Sequence, residues 1–482
     1  MATCRDLAVL QMNDSHGYFD LHPELFWAGS HAEYRMAGGY ARIGSLLEGT
    51  RQNMPEKVLA FDCGDTIHGT YPAVHTKGES LVPVLNALRF DAMTAHWEFA
   101  YGPSQFKKIA GQLKYPVLAI NCYDKATRKL VFDPYTVLER GDLRIGVIGI
   151  ACNIVDKTMP PSFSEGIYFT LGNEELPSFV EELRATEHVD IVIVVSHIGF
   201  PQDMKLLTEV NGIDVLLSGH THNRLYEPVI QNGTIVIQSG CHGSFLGRLD
   251  LRIEGRKVTD FHHELITVSE SITPDPGVQS LVDQTVSSYH KELGKVVGQT
   301  ETPLNRNTIL ESTMDNLLLK SMIHLTGAQL AFSNGWRYGA PIQPGPVTLG
   351  DLYNIIPVNP PVSVVELTGD EIRIMIEENL EHTFSRDPYA QMGGYVKRCM
   401  GLSAYIKLEN PKGTRVQELF VQGMRVNPER VYTAAFVTSQ AVPSGYGSNR
   451  SDTGTRAVDA LIGYLATCRS VRADIQNSIV AV

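Results

Sequence analysis

The feature that most constrains this chain is a pattern repeated five times in its first half, in which an aspartate or histidine lies at or just after the end of an apolar run. The polar residues that follow these runs are Asp14, His16, Asp65, His96, His197, His220 and His222. In an open α/β sheet, residues beyond the carboxyl ends of neighbouring strands meet in one crevice although they are far apart in the sequence. The pattern therefore predicts that these seven side chains converge.

The seven side chains are of the types that bind a pair of metal ions. Asp14 and His16 are two residues apart, so on a strand both point to one face and can bind the same ion. His220 and His222 repeat this arrangement after a glycine that lets the backbone pass close to the ions. Asp65 is the natural bridge between the two ions. One Asp-x-His pair alone is more often a surface pair, whereas five segments in this order favour a metal site.

The donor atoms of this set are nitrogen and oxygen only, and most are imidazole nitrogens. Such a set suits Mn, Zn, Fe(II) or Co and argues against an all-oxygen calcium site. Two ions that share a carboxylate can activate a water and stabilise the oxyanion of a phosphoryl or sulfuryl group during in-line attack. The pattern therefore predicts a hydrolase with two divalent metal ions, and it leaves the identity of the metal open.

The composition is that of an ordinary globular protein of enzyme size. The chain has 482 residues, of which 20% are charged and 43% hydrophobic, and this length suits two or three domains. Its net charge is -12 and no cluster of lysines and arginines stands out, so neither a nucleic-acid polymer nor a membrane surface is an expected partner. We expect a small anionic substrate, held by metals or by individual arginines. The oligomeric state is left open.

The cysteines and the N-terminal residues both favour a cytoplasmic protein. The seven cysteines are scattered and lack a C-x-x-C pair, which is typical of reduced thiols. The first residues run straight into an apolar strand and show none of the features of a signal peptide. No apolar stretch approaches the ~20 residues that span a bilayer. The sequence therefore predicts a cytoplasmic location.

Strand-like and helical segments alternate through the first half of the chain, which predicts a layered α/β fold. The predicted strands are Leu7–Met12, Val58–Phe61, Ala92–Thr94, Val117–Asn121, Leu143–Ile150, Ile191–Ser196, Val215–Ser218 and Thr234–Gln238. Arg248–Ile253 and Val258–Phe261 alternate between apolar and polar residues, as antiparallel strands do. A mixed sandwich of two sheets is therefore expected.

A break at Pro274–Gly277, followed by an amphipathic stretch up to Leu293, marks a connecting helix. Beyond it, fewer strands and helices alternate around a region rich in glycine and proline, which predicts a smaller α+β domain. The predicted regions are a first domain over residues 1–272, a linker helix over 273–295 and a second domain over 296–482.

The motifs of both halves resemble those of a known family. In the first half, the residues that carry the resemblance are Asp14-x-His16, Gly64-Asp65, Glu98-Phe99, His197 and Gly219-His220-Thr221-His222. They are similar to the calcineurin-like metallophosphoesterase motifs of the 5′-nucleotidase family. In the second half, Met314–Leu317, Phe332–Arg337 and Gly345–Leu352 are similar to the C-terminal substrate-binding domain of that family.

The resemblance implies a fold and a division of the ligands. The fold would be a four-layer αββα metallophosphoesterase sandwich followed by a smaller α+β substrate-binding domain, with substrate bound in a cleft between them. One ion would be held by Asp14, His16, Asp65 and His222. The other would be held by Asp65, His96, His197 and His220.

One segment, Ala95–Ala100, departs from the family pattern Gly-Asn-His-Glu-Phe-Asp. His96 stands where the family has an asparagine ligand and can still coordinate a metal. Trp97 replaces the histidine that the resemblance assigns to the leaving group, and Ala100 replaces the carboxylate that would orient that histidine. An orienting carboxylate has no function without its imidazole. The joint loss indicates an altered leaving-group site.

The same segment resembles a subgroup of the superfamily, the thiosulfohydrolases of sulfur oxidation. This second resemblance is carried by His96–Gly102, Asp387–Tyr389, Gln391–Gly394 and Gly401-Leu402. It implies a two-metal enzyme that releases sulfate from a thiosulfonate. A leaving sulfur needs little protonation compared with an alkoxide, so the missing acid would be tolerable there.

Four residues are predicted to contact the substrate, namely Trp97, Arg337, Arg398 and Tyr446. Arg337 is a candidate bidentate clamp for phosphate or sulfate, and Arg398 is a second candidate. Tyr446 could stack on a nucleobase, but Val358 stands where the resemblance implies the partner ring. Base recognition is therefore an open question.

His242 is the candidate for the missing acid. It lies in the glycine turn Gly240–Gly243, which follows a predicted strand and is expected near His220. A loop histidine that only makes hydrogen bonds is the alternative, and geometry must decide between the two. The predicted catalytic residues are thus His242 and Arg337.

These observations favour a dinuclear metal-dependent hydrolase that acts on phosphomonoesters, nucleotide-like ones in particular. The alternative within the same class is thiosulfohydrolase-like release of sulfate from a thiosulfonate. The alternative of another class is a ligand-binding protein that keeps the fold and the metals but has weakened catalysis.

Overall fold

The computed structural model describes residues 4–482, and this part of the chain divides into two compact units. Met36–Ser288, together with the residues up to His22, form the first unit. Tyr289–Val482, together with Pro23–Arg35, form the second. No pattern in the sequence indicates that the early segment Pro23–Arg35 belongs to the later unit.

The strands up to Ser288 alternate with helices, as the apolar runs predict. In chain order the strands are β1 (Cys4–Met12), β2 (His22–Ala28), β3 (His31–Ala37), β4 (Val58–Asp62), β5 (Ala92–Met93), β6 (Cys122–Asp124), β7 (Tyr135–Arg140), β8 (Leu143–Ile150), β9 (Ile167–Phe169), β10 (Ile191–Ser196), β11 (Val215–Ser218), β12 (Val229–Gln231), β13 (Thr234–Ile237), β14 (Phe245–Glu254) and β15 (Lys257–Thr267). The helices are α1 (Tyr40–Asn53), α2 (Tyr71–His75), α3 (Val82–Leu88), α4 (Pro103–Ala110), α5 (Val155–Thr158), α6 (Leu176–Ala185), α7 (Phe200–Glu209) and α8 (Pro276–Leu293), with 3₁₀ turns at Glu79–Leu81, Trp97–Tyr101 and Pro161–Ser164. Helix α8 is the predicted connecting helix, and the boundary between the units falls within it.

Two mixed sheets form the centre of the first unit. One has five strands in the order β15-β14-β1-β4-β5, and the other has six in the order β12-β13-β11-β10-β8-β7. Strands β14 and β15 pair antiparallel, and β1 pairs antiparallel with β14 but parallel with β4. The prediction of a mixed sandwich of two sheets is therefore confirmed.

A hydrophobic core lies between these two sheets. Its members from the first sheet include Leu7, Val9, Leu59, Phe61, Leu249 and Leu251, and its members from the second include Ile145, Val147, Ile193, Val195, Leu217 and Ile237. A further core joins the other face of the six-stranded sheet to helices α6 and α7, through Val192, Val194, Leu216, Leu183, Leu206 and Leu207. Strands covered on both faces are apolar throughout, which explains the continuous apolar runs in the sequence. With helix α1 packed near β4, the layers follow the expected αββα order.

Parallel pairing aligns the strand ends that carry the predicted ligands. In the second sheet, Ser196 at the end of β10 lies opposite Ser218 at the end of β11. In the first sheet, Met12 of β1 lies opposite Asp62 of β4, which in turn lies opposite Met93 of β5. The polar segments that follow these strands therefore leave each sheet at one edge.

The predicted strand Val117–Asn121 is wrong. This segment makes only single bridges, between Met93 and Val117 and between Leu118 and Asp133. The next regular strand, β6, begins at Cys122 and pairs with β9. An apolar run can be buried without joining a ladder, and its composition alone does not distinguish the two cases.

The second unit is a smaller mixture of strands and helices, as predicted. Its strands are β16 (Val296–Thr300), β17 (Leu330–Ser333), β18 (Gly345–Thr348), β19 (Pro361–Thr368), β20 (Arg398–Met400), β21 (Leu402–Ile406), β22 (Val416–Val421), β23 (Met424–Arg425), β24 (Val431–Phe436), β25 (Ser448–Arg456) and β26 (Ile479–Ala481). Its helices are the end of α8, α9 (Thr313–Thr326), α10 (Leu349–Ile355), α11 (Gly369–Phe384) and α12 (Ala457–Ala466), with a 3₁₀ turn at Pro388–Ala390. A five-stranded sheet runs in the order β20-β17-β24-β19-β25, and a four-stranded sheet in the order β23-β22-β21-β26.

Side-chain caps explain where two helices of this unit begin. Ser312 accepts a hydrogen bond from the backbone N–H of Asp315 at the start of α9. Thr368 and Glu371 form a reciprocal capping box at the start of α11. Such caps satisfy backbone donors that have no partner within the helix. Among residues 4–482, no helix combines the length and the apolar character that crossing a membrane requires.

Replacing Gly149 in β8 by alanine is expected to destabilise the first unit by about 1–3 kcal/mol, because the added methyl overpacks a closed interior. That methyl would lie 2.2 Å from the carbonyl oxygen and 2.4 Å from Cβ of Leu118. Gly463→Ala is the matched control, since a methyl at this exposed position of α12 meets nothing within 4 Å. The control is expected to be neutral or to stabilise by up to about 1 kcal/mol. Urea unfolding measures both, and equal midpoints for the two variants would contradict the packing described.

Candidate metal centre

The first group of predicted ligands forms around the end of β4. Asp65, His96, His197 and His220 are buried, and one donor atom from each lies within 4.8 Å of the others. Asp65 is central, because its carboxylate oxygens lie 3.1 Å from His96 Nδ1 and 3.2 Å from His197 Nε2. The His220 ring completes the group, with its centroid 4.9 Å from that of His96.

The second group uses the same carboxylate. Asp14, His16, Asp65 and His222 also bring one donor atom each to within 4.8 Å of one another. The Nε2 atoms of His16 and His222 are 3.3 Å apart, and His222 Nε2 lies 3.1 Å from Asp14 Oδ1. The structure thus brings together all seven residues that the strand ends predict, in two groups of four that share Asp65.

The backbone at these positions is unusual. Five of the seven residues adopt a positive φ, at 51° for Asp14, 50° for His16, 57° for Asp65, 72° for His220 and 58° for His222. Residues other than glycine rarely enter the left-handed region, and each such residue costs on the order of 1–3 kcal/mol. Aspartate and histidine enter it more readily than most other residues. Strain of this kind concentrates at functional sites, where the surrounding structure holds it.

Backbone carbonyls orient two of the histidines for metal binding. His16 donates from Nδ1 to the carbonyl oxygen of His68 at 3.1 Å, and His197 donates from Nδ1 to the carbonyl oxygen of Cys63. Because a carbonyl only accepts, each Nδ1 carries a proton, which leaves Nε2 as the ring atom that can bind a metal. In both residues Nε2 is the atom that faces Asp65. This tautomer control is typical of histidines that bind metals, so the donor set fits divalent ions.

Glycines let the ligand-bearing segments approach each other closely. A methyl group at Gly219 would lie 2.9 Å from His197 Nδ1, and one at Gly64 would lie 3.1 Å from the same atom. Gly219, which was predicted to let the backbone pass close to the ions, therefore packs closely against one of the predicted ligands. Any larger residue at either position would push the His197 ring away.

Charges within the groups shift several pKa values. Burial alone would raise the pKa of Asp65, but the His96 and His197 imidazoles hold it well below its ordinary value. Burial lowers the pKa of His16 to about 3, so this imidazole is neutral, as a ligand must be. Burial also works to lower the pKa of His197, but Asp65 and Asp14 raise it to about 10. A metal ion that binds His197 therefore displaces a proton.

Glu98 supports the centre and was not predicted as a site residue. Its buried carboxylate accepts hydrogen bonds from the backbone N–H groups of Thr66 and His96, both at 2.7 Å, and of Asp65 at 3.3 Å. One side chain therefore ties the loop after β4 to the segment after β5. In the sequence, the only sign of this role is an acidic residue two positions after His96. Its hydrogen-bond partners are not visible there.

Trp97 lies beside the first group, with its indole half-buried. Its backbone N–H donates to Asp65 Oδ1 at 2.8 Å. Its ring stacks on that of His68, with centroids 4.6 Å apart and an interplanar angle of 22°. The indole cannot exchange a proton with a leaving group. His68 is buried and was also not predicted, since a lone histidine three residues after Asp65 gives no clear signal.

His242, which was predicted near His220, lies beside the second group. Its ring centroid lies 6.2 Å from that of His222 and 6.3 Å from that of His16. Its backbone N–H donates to the carbonyl oxygen of Asp14 at 2.7 Å, which fixes the turn next to the centre. Cys241 Sγ lies 3.4 Å from His242 Nδ1. The role of His242 as a general acid stays a prediction.

The remaining predicted substrate contacts belong to the second unit. Arg337 is half-buried, donates to the carbonyl oxygen of Gly394 at 2.9 Å and lies over the Tyr395 ring. Tyr446 is half-buried against the core of its unit, and its hydroxyl donates to the carboxylate of Glu378. Both roles in substrate binding stay predictions.

Arg398 corrects a prediction. It is 1% exposed, its Nε lies 3.1 Å from the carboxylate of Asp315, and it donates to the carbonyl oxygens of Thr308 and Ile309 at 2.7 and 3.1 Å. A guanidinium enclosed by these partners cannot also clamp a substrate anion. Arg398 therefore stabilises the second unit and does not bind substrate.

Comparison with known proteins covers most of the chain. Residues 7–224 match the calcineurin-like phosphoesterase family, and residues 296–441 match the 5′-nucleotidase C-terminal domain family. The trifunctional nucleotide phosphoesterase protein YfkN of Bacillus subtilis is 24% identical over 89% of this chain but only 31% of its own length. This chain therefore spans about a third of that relative.

Two further similarities extend over most of both proteins. Human 5′-nucleotidase is 26% identical over 86% of this chain and 78% of its own length. The solved structure of the Thermus thermophilus sulfate thiohydrolase SoxB aligns with a TM-score of 0.91 and 24% identity, over 99% of this chain and 96% of that one. The structural likeness establishes the two-domain fold.

Removing a shared ligand and removing an unshared one are expected to differ in metal content. Asp65→Ala should abolish binding of both ions, since both groups lose a ligand, whereas His222→Ala should leave one ion bound. His242→Ala is the control, because this histidine is near the centre but outside both groups, and it should retain two. Elemental analysis after reconstitution with Mn²⁺ and desalting measures the stoichiometry. The same metal content in the Asp65 and His222 variants would contradict a shared carboxylate.

Proposed function

We propose that this chain, which carries a calcineurin-like phosphoesterase domain followed by a 5′-nucleotidase C-terminal domain, hydrolyses nucleotide-like phosphomonoesters with two divalent ions. The domain matches and the ligand groups together make it a metal-dependent hydrolase. The observation that carries the proposal is the pair of four-residue groups that share Asp65. A shared carboxylate holds two ions close together, as a two-metal hydrolase requires.

The donor set supports a transition metal. Five imidazoles and two carboxylates suit Mn, Zn, Fe(II) or Co, whereas Mg and Ca prefer oxygen ligands. When bound, the ions supply activation of water and neutralise negative charge on the transferred group. The chain itself supplies ligand orientation, through the carbonyl groups that hold His16 and His197. Preset orientation of this kind reduces the reorganisation needed during the reaction.

The second domain and the relatives support a nucleotide-like substrate. Two similar proteins are a trifunctional nucleotide phosphoesterase, YfkN, and human 5′-nucleotidase. In this chain Arg337 is the proposed clamp for the anionic group, since a guanidinium can bind two phosphate oxygens at once. Tyr446 is the proposed stacking partner for a base, and Trp97 the proposed aromatic contact beside the ions.

Release of sulfate from a thiosulfonate is the second candidate, and Trp97 is the observation that favours it. An indole stacked on His68 stands beside Asp65, where a hydrolase of alkyl phosphates would profit from a proton donor. A sulfur leaving group departs without protonation, so this reaction does not need a donor at that position.

A paired substrate assay separates the candidates. With Mn²⁺ added, we expect phosphate release from nucleoside monophosphates, and chelation with EDTA should reduce the rate to background. Sulfate release from a thiosulfonate, without phosphate release, would instead support the second candidate. Binding of two metal ions without release from either class would identify a ligand-binding protein and contradict the proposed hydrolysis.

The role of His242 is testable through the leaving group. If His242 is the acid, His242→Ala should slow hydrolysis of an alkyl phosphate about 10²-fold or more, because general acid catalysis contributes this much. p-Nitrophenyl phosphate has a leaving group that needs no proton and should be affected far less. His262→Ala, which changes an exposed histidine, is the control for a general loss of activity. An equal loss on both substrates would exclude the acid role.

A further inference from the structure

A network of hydrogen-bonded polar side chains lies within the first unit. It flanks the histidines that follow β10 and β11. Ser196 precedes His197, and Ser218 precedes the Gly219-His220 segment. Both serines donate to the same carboxylate, Ser196 to Asp203 Oδ1 and Ser218 to Asp203 Oδ2, each at 2.6 Å. One carboxylate on α7 therefore holds the ends of two neighbouring strands at the point where the ligands begin.

The directions of the hydrogen bonds in this polar network can be deduced. Gln238 accepts from the backbone N–H of Asn223 with Oε1, and donates from Nε2 to the carbonyl oxygen of Gly219 at 2.7 Å. A backbone N–H only donates and a carbonyl only accepts, so the orientation of the amide is determined. The same Nε2 donates to Ser218 Oγ at 2.8 Å. The Ser218 hydroxyl is therefore left to donate its own hydrogen to Asp203.

The deduced direction makes Asp203 Oδ2 an acceptor from Ser218, while Ser196 Oγ lies against the other carboxylate oxygen, Oδ1. Asp203 is fully buried, and both hydrogen-bond donors to its side chain are uncharged hydroxyls. Burial raises the pKa of Asp203 to about 7, while its bonds to Ser196 and Ser218 and the charge of His197 work in the opposite direction. A buried charge is costly unless positive charge compensates it. That compensation is available at the metal centre, to which His197 belongs.

We propose that Asp203 is a positioning residue for the metal centre, which fixes His197 and His220 and whose negative charge is balanced by the ions bound there. The proposal rests on the proposed function in one respect, since it requires two bound ions. Residues that orient ligands typically change metal affinity 10–100-fold when they are replaced, on the order expected here.

Asp214, which immediately precedes β11, provides a matched control. It is also a largely buried carboxylate, and it accepts from the backbone N–H of Val192 at 2.7 Å. Its charge is balanced locally by an ion pair with Arg184 at 2.5 Å. Replacement of Asp214 removes a buried carboxylate without altering the segments that carry His197 and His220.

The test compares Asp203→Asn with Asp214→Asn in the full-length protein. After removal of metals with a chelator, calorimetric titration with Mn²⁺ should give two ions for the wild type. In Asp203→Asn, an amide N–H faces the serine hydroxyls, so we expect at least about ten-fold weaker binding of one ion. The gain in Tm on adding Mn²⁺ should also shrink. Asp214→Asn should lower Tm equally with and without Mn²⁺ and keep both affinities.

Each result decides the matter. Wild-type affinity for both ions in Asp203→Asn, or a drop in Tm that is equal with and without Mn²⁺, would overturn the positioning role and leave the proposed function intact. Fewer than two ions bound to the wild type would overturn the dinuclear centre itself. If Asp203→Asn does not fold, Ser196→Ala keeps the carboxylate and removes one donor. Its affinity for one ion should fall several-fold, and unchanged affinity would overturn the proposal.

Discussion

A carboxylate can serve two groups of imidazoles only where separate chain segments hold it from several sides, and Asp65 is held in this way. Its carbonyl oxygen accepts from the backbone N–H of His16 at 2.8 Å, and its side chain accepts from the backbone N–H of Trp97 at 2.8 Å. The residue is therefore bound to the segments after β1 and β5 as well as facing the imidazoles. The edge where the parallel strands end brings these segments together, so the centre depends on the sheet order.

The sheets could largely be predicted because strands buried on both faces must be apolar along their whole length. The ends of these runs are sharp, and the polar residues just beyond them are the ligands. The prediction failed at Val117–Asn121, where an apolar segment is buried but does not pair as a strand in a sheet. It also failed for Pro23–Arg35, whose association with residues after Ser288 depends on contacts between distant parts of the chain. The amino-acid composition of a segment does not indicate such contacts.

Some residues of the candidate site could also be predicted from the sequence, and others could not. The seven ligand candidates share a recognisable position relative to strands, whereas Glu98 and Asp203 act through hydrogen bonds to groups that only the fold brings near. Arg398 shows the opposite error. An arginine next to a motif is indistinguishable in sequence from one that is enclosed by Asp315 and backbone carbonyls, so burial and partners decide its role.

The left-handed backbone at five ligand positions restricts what each position can become. A residue there has to satisfy the chain as well as the ion, and asparagine, aspartate, histidine and glycine satisfy the chain most easily. Branched or bulky substitutes would disturb the turn even in a protein without metal. Two requirements therefore limit which residues these positions tolerate. The residue must fit the backbone conformation, and it must suit metal coordination. A ligand lost from this site is more easily replaced by glycine or asparagine than by valine or isoleucine, which predicts how an inactive descendant of such a protein would look.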